Sequence, residues 1–139
     1  YIDLGCGSGR YLLQLALKHK DKANFLGVEI RTQLAERAQH WAEEFNLRNA
    51  HFIGCNINAE GAWERILDKY PGPVTAFSVL MPDPWFKKKH YKRRMLTERL
   101  VNRISSKLEK GGGMFIQSDI YPVAVDMRAK LSENLDLMD

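Results

Sequence analysis

Cysteine is scarce in this chain, with only Cys6 and Cys55 among 139 residues. Two thiols make no disulfide framework, and no Cys/His spacing matches a metal site. His19, His40, His51 and His90 are scattered and read as surface or internally satisfied side chains. No apolar run approaches the roughly 18 residues of a membrane span, and no signal-peptide pattern is present. Internal repeats, low-complexity tracts and linkers are also missing. These absences exclude a disulfide-stapled module, a zinc domain, a helical membrane protein and a repeat array.

One local absence is more informative. From Pro84 through Thr97 there is no acidic residue, and six of the chain's 21 basic residues fall between Lys87 and Arg94. Net charge is +4, so outside this cluster 15 basic residues face 17 acidic ones. A positive patch on a near-neutral body implies a specific anionic partner, with nucleic acid the leading candidate. A solvated charge run is the plainer reading of such a segment. Here, however, it follows directly on Pro82-Asp83-Pro84-Trp85. Proline lacks a backbone N–H and restricts the residue before it, so Asp83 is held in a stiff, extended turn. A carboxylate fixed at a strand end beside a cationic aromatic segment suggests a catalytic site joined to a polyanion-binding surface.

The composition, 45% hydrophobic and 27% charged, is that of a soluble globular domain. Apolar runs at 1–4, 24–30, 50–55, 74–81 and 114–118 read as strands. Helical spacing links Leu12, Leu15, Ala16 and His19, and then Leu34, Ala38, Trp41, Ala42 and Phe45 after a Thr32 cap. A short helix with Trp63, Ile66, Leu67 and Tyr70 follows an Asn58 cap. Another carries Leu100, Val101, Ile104 and Leu108 and is stopped by Gly111-Gly112-Gly113. The last starts at Pro122 and bears Met127 and Leu131. This alternation predicts an α/β fold, a doubly wound parallel sheet in the order 3-2-1-4-5. Its switch point lies between strands one and four, so the loop after strand one and the Asp83 loop flank the ligand crevice. Glu29, Asn56 and Asp119 ring the same edge.

Asp3-x-Gly5-x-Gly7-x-Gly9 lets the backbone approach a ligand closely and turn into a helix N-terminus. The dinucleotide fingerprint wants a small residue where Arg10 stands. The shifted third glycine and the preceding Asp3 suit S-adenosylmethionine instead, which has no pyrophosphate to cradle. Glu29, twenty residues past Gly9, ends strand two, where a carboxylate can accept both ribose hydroxyls. A surface pairing with Arg31 is its plainer alternative. Asn56 offers an amide to an adenine edge or simply forms a turn. Trp41 and Trp63 read as core residues on helix faces, whereas Trp85, in a loop, stacks on a base or walls the pocket.

Four segments together resemble the tRNA (guanine-N7-)-methyltransferase family: Asp3-Leu-Gly-Cys-Gly-Ser-Gly9, Gly27-Val-Glu-Ile-Arg31, Pro82-Asp-Pro-Trp-Phe-Lys-Lys-Lys-His-Tyr-Lys-Arg-Arg94 and Gln117-Ser-Asp119. The resemblance covers essentially the whole chain, and the Pro-Asp-Pro-Trp segment with its basic tail is the specific part. Asn49-Ala-His-Phe52 and Tyr70-Pro-Gly-Pro73 are most similar to cyanobacterial and plant plastid members. The resemblance implies a Rossmann-like methyltransferase fold, S-adenosylmethionine as cofactor, and methylation of a variable-loop guanine in tRNA. It implies that Asp3, Gly5, Gly7, Glu29, Ile30, Asn56 and Ile57 hold the cofactor and that Asp83 is catalytic. Lys87 and Asp119 then contact the substrate, with Lys88, Lys89, Lys92 and Arg93 on the tRNA backbone. No metal or membrane is implied. An accessory subunit is expected in a eukaryotic setting, with the cytoplasm as compartment in a bacterium and plastid, cytosol or nucleus in a photosynthetic eukaryote.

The family's C-terminal Thr-x-x-Glu motif and final strand pair are not found. Residues 1–139 are therefore expected to be one methyltransferase domain, a fragment cut at both ends, with a further strand starting at 135–139. Two rival readings stay open. One is a methyltransferase for a small molecule or protein, which leaves the basic segment unexplained. The other is a non-catalytic RNA- or partner-binding subunit on the same fold.

Overall fold

The computed structural model describes residues 1–134, so the strand expected at 135–139 lies outside the described residues. In chain order the elements are β1 (Ile2–Leu4), α1 (Arg10–Lys18), β2 (Phe25–Glu29), α2 (Thr32–Glu44), β3 (Ala50–Gly54), β4 (Val74–Leu80), α3 (Glu98–Lys107), β5 (Leu108–Gln117) and α4 (Tyr121–Asn134). The sheet runs β3-β2-β1-β4-β5 and all its pairings are parallel. This is the order that the strand–helix alternation predicts.

Successive strand residues face opposite sides of a sheet, and β2 shows the consequence. Phe25 packs with Leu12 and Ala16 of α1 and with Ala38 and Ala42 of α2. Leu26 and Val28 belong instead to the core shared with Leu100 and Ile104 of α3 and Met127 and Leu131 of α4. The sheet is thus covered on both faces, as parallel sheets require. All the strand carboxyl ends open at one edge, which is where the loops discussed below meet.

Gly9 shows how closely the first loop is packed. It has a left-handed φ of 72° at the start of α1. A Cβ there would sit 2.6 Å from the Phe52 ring and 2.7 Å from the Ala38 methyl. The ring is itself packed against Gly27, and the methyl is fixed to α2. Gly9→Ala is therefore expected to cost about 2–3 kcal/mol, from left-handed strain plus overpacking. Thermal unfolding at the wild-type Tm would show that α2 yields instead.

Several local expectations are corrected. Thr32 is the first residue of α2 rather than its cap; Arg31 holds that position without a side-chain cap bond. Asn58 caps nothing: its Nδ2 donates to the Met95 carbonyl at 2.8 Å and its Oδ1 accepts from the Thr97 hydroxyl. The helix after it is a single π turn, Glu64–Asp68. The three glycines do not stop α3, which ends at Lys107, but lie inside β5. Val74 pairs with Leu108 and Ala76 with Gly113, so residues 109–112 bulge opposite Thr75. Gly111 takes φ 82° at that bulge, a conformation glycine adopts without penalty.

Candidate functional site

Four strand ends build one cleft of about 480 Å³. Gly5 and Gly7 come from the loop after β1, and Glu29, Ile30 and Arg31 from the end of β2. Asn56, Ile57 and Asn58 follow β3, while Met81, Pro82 and Asp83 follow β4. Trp85, Lys92, Arg93 and Met95 close the far side. Most of the residues singled out in the sequence therefore share a single wall. A second hollow of about 500 Å³ lies beside α1 and α2, lined by Arg10, Arg37, Trp41 and others. It contains no carboxylate and is lined by none of the strand-end residues just named, so the candidate chemistry belongs to the cleft.

Glu29 organises the cofactor-facing half. It is buried, and its Oε2 accepts from the Gly7 N–H at 2.8 Å while Oε1 accepts from the Arg31 N–H at 2.9 Å. A carboxylate has about four acceptor directions, so two remain for a ligand diol. The supposed surface pairing with the Arg31 guanidinium is not formed; that group turns to Asp83. Asn56 Oδ1 is used by the Asn58 N–H at 3.0 Å. Its Nδ2 makes no hydrogen bond among the described residues and remains a donor toward the cleft.

Asp3 lies beneath the wall rather than on it. β1 and β4 align Asp3 with Ser78, and the Ser78 hydroxyl donates to Asp3 Oδ1 at 2.5 Å. Burial raises the Asp3 carboxyl above its ordinary value, the Ser78 bond draws it down, and the Glu29 charge pushes it up again. Two carboxylates thus crowd the glycine loop, an arrangement that a positively charged ligand would relieve. Cys6 is no nucleophile. Burial first, then the Asp3 and Glu29 charges, push its thiol up to about 12.

The opposite half of the cleft has a strained backbone. Met81 and Trp85 take φ 51° and 44°, left-handed values uncommon for bulky side chains. Between them the Asp83 side chain is 61% exposed, and its Oδ2 meets Arg31 Nη2 at 3.5 Å. A pair so long and so open holds the carboxylate loosely. Lys88–Arg93 form a 3₁₀ helix.

A family model described as "Putative methyltransferase" matches residues 1–139. The chain belongs to that family. A tRNA (guanine-N(7)-)-methyltransferase from Synechococcus sp. (strain JA-2-3B'a(2-13)) is 45% identical over 139 residues. The alignment takes in all of this chain but 56% of that relative, so the chain spans little more than half of its length. Among solved structures, the [4+2]-cyclase SpnF superposes with a TM-score of 0.65 at 16% identity, covering 96% of this chain and 50% of that one. Coclaurine N-methyltransferase bound to N-methylheliamine and SAH gives 0.61 at 21% identity, covering 84% and 30%. At such identities these likenesses speak for the methyltransferase fold alone, and a cyclase on it shows that fold does not fix chemistry.

Within this family member the basic segment divides. Lys92 and Arg93 line the cleft, whereas Lys87, Lys88 and Lys89 are exposed outside it. Asp119 is exposed just beyond β5, also outside the wall. Arg94 is 8% exposed and structural: its Nε donates to the Pro84 carbonyl at 3.1 Å and its Nη1 meets Asp126 Oδ2 at 3.0 Å. Sequence reasoning missed this anchor, and also Met95, whose Cε would be 3.3 Å from a Cβ on Gly5. Only the fold reveals either.

Proposed function

We propose that this protein transfers a methyl group from S-adenosylmethionine to N7 of a guanine in tRNA. The observation that carries the reading is the joining, in one cleft, of the Glu29–glycine-loop half to the Asp83–Trp85–Arg93 half. The name of the Synechococcus relative supports the same substrate. The residues present suit the cofactor. Glu29 has free acceptor directions for a ribose diol, Asn56 has a spare donor for an adenine edge, and the crowded Asp3 and Glu29 favour a cationic ligand.

When bound, S-adenosylmethionine supplies an electrophilic methyl on a positively charged sulfur. Guanine N7 attacks with a neutral lone pair, so no base has to remove a proton first. Bound in the cleft, the cofactor would give up the methyl while its sulfur kept the C–S electron pair, leaving the positive charge on the purine. The protein's task is therefore placement and stabilisation of that charge. Asp83, exposed and loosely held at the cleft wall, offers a full negative charge to the purine. Lys87, Lys88, Lys89, Lys92 and Arg93 grip phosphates, which position the tRNA without reading its sequence, and Asp119 joins Lys87 as a substrate contact. Reaching N7 of a guanine held in tertiary pairing requires local opening of the RNA.

Bulk tRNA incubated with the protein and methyl-labelled cofactor, then cleaved by borohydride and aniline, tests this. Cleavage at one variable-loop guanine is expected. Cofactor binding with no cleavage on any tRNA would favour a non-catalytic RNA-binding role, and label entering protein or small molecules instead would overturn the substrate.

A sharper test concerns Glu29. Glu29→Gln keeps one acceptor for the loop amides and loses the charge. Cofactor affinity should weaken by about 1.5–3 kcal/mol, the range for a hydrogen bond to a charged group. Both variants should lower Tm, glutamine less than alanine, because glutamine leaves one of the Gly7 and Arg31 amides without an acceptor and alanine leaves both. Calorimetry giving wild-type affinity for the glutamine variant removes Glu29 from the cofactor site.

A further inference from the structure

Trp85 combines two features that ordinary wall residues lack. Its backbone is left-handed at φ 44°, a conformation that strains a bulky residue. Its ring faces a cation, with the Arg93 guanidinium carbon 5.2 Å from the ring centroid. His90 meets the same ring nearly perpendicularly, at 5.7 Å and 82°, and leaves it half-buried rather than enclosed. Trp85, Arg93 and Asp83 all line the one cleft. A tryptophan face carries negative quadrupole density and attracts a planar cation lying over it.

The proposed reaction generates such a cation: the purine is neutral before transfer and positively charged after it. We propose that Trp85 is the stacking platform for the reacting guanine and that its ring stabilises the charge as it develops, Arg93 holding the ring face that the purine takes. This rests on the N7-methylation reading and adds a residue to its chemistry. Asp83 then stabilises the charge through a full negative charge, while Trp85 does so through its π face. Because a π face attracts the methylated purine more than the unmethylated one, it lowers the barrier and also slows product release. Arg93, displaced from the ring, swings to the phosphate of the incoming nucleotide.

Ligand binding without cofactor separates this from simple packing. The probes are 7-methylguanosine and guanosine, at slightly acidic pH where the methylated base keeps its charge. Wild-type protein is expected to prefer the methylated nucleoside by roughly two- to thirtyfold, the span of a cation–π contact. Tryptophan fluorinated site-specifically at position 85 keeps its shape while losing ring electron density, and should erode the preference stepwise with each fluorine. Trp85→Leu should abolish it, and Arg93→Ala should strengthen it by removing the competing cation. Equal affinity for both nucleosides in the wild type, or a preference unmoved by fluorination, overturns the proposal and leaves Trp85 a wall. That outcome is distinct from failure of the methylation reading, which shows as wild-type protein making no N7-methylguanosine in tRNA.

Discussion

Asp83→Asn is expected to slow single-turnover methyl transfer by roughly 100-fold, the low end of the loss seen when an electrostatic contact to a transition state is removed, because the exposed carboxylate is only loosely held. The substitution keeps the size and planarity of the side chain, and the flanking prolines hold the backbone, so only charge changes. Its ion pair to Arg31 is long and exposed on both sides. Losing it should therefore hardly alter stability. Affinity for tRNA should also stay near wild type, because the phosphate-binding lysines are untouched. The expected signature is a fall in the chemical rate with unchanged tRNA binding and unchanged Tm. A full single-turnover rate in the variant would make Asp83 a turn residue and remove the charge-stabilising step from the mechanism.

The shared cleft was legible because the residues that line it sit at strand ends. Short apolar runs separated by helical patterns leave little choice of topology, and a parallel sheet puts every strand's carboxyl end at one edge. Glu29, Asn56 and Asp83 could be aligned from spacing alone for that reason. What stayed hidden depends on partners far away in sequence. Asn58 looks like a helix cap because its type favours one, yet it is held by Met95 and Thr97. Gly111-Gly112-Gly113 has the composition of a helix stop, but β4 captures the chain before them at Leu108 and again at Gly113. Asp3 reads as a ligand-facing acid until its register against Ser78 is known. The π turn at Glu64–Asp68 has no distinct signature in composition.

The basic segment is the clearest case of residues alike in sequence and unlike in role, and it carries the second large effect. Arg94 ties the Pro-Asp-Pro loop to α4 through the Pro84 carbonyl and Asp126, with the Tyr91 ring 4.0 Å beneath its guanidinium. Removing one partner of a buried pair costs about 3–5 kcal/mol. Arg94→Ala should fall below that, at about 2 kcal/mol, because the Asp126 side chain is 30% exposed and Lys130 still binds it at 2.7 Å. Burial raises the Asp126 carboxyl, but hydrogen bonds and charge from Lys130 and Arg94 outweigh it and hold the group below its ordinary value of 3.8. A depressed folded value means that this stabilisation is complete above the ordinary value and is lost as pH falls through the depressed one. The wild-type advantage over Arg94→Ala should accordingly shrink in strong acid. Replacing Lys88, Lys89 and Lys92 together with alanine should do something different, since all three are exposed. For every phosphate that the variant no longer neutralises, the slope of log affinity against log salt should become shallower by about 0.7–0.9, while Tm and turnover at saturating tRNA largely survive. Melting curves and filter binding across a salt series, run on both variants, separate the two roles. A triple variant with the wild-type salt slope would reduce the lysines to a solvated face. An Arg94→Ala protein with unchanged Tm would mean that the loop is held by its prolines alone.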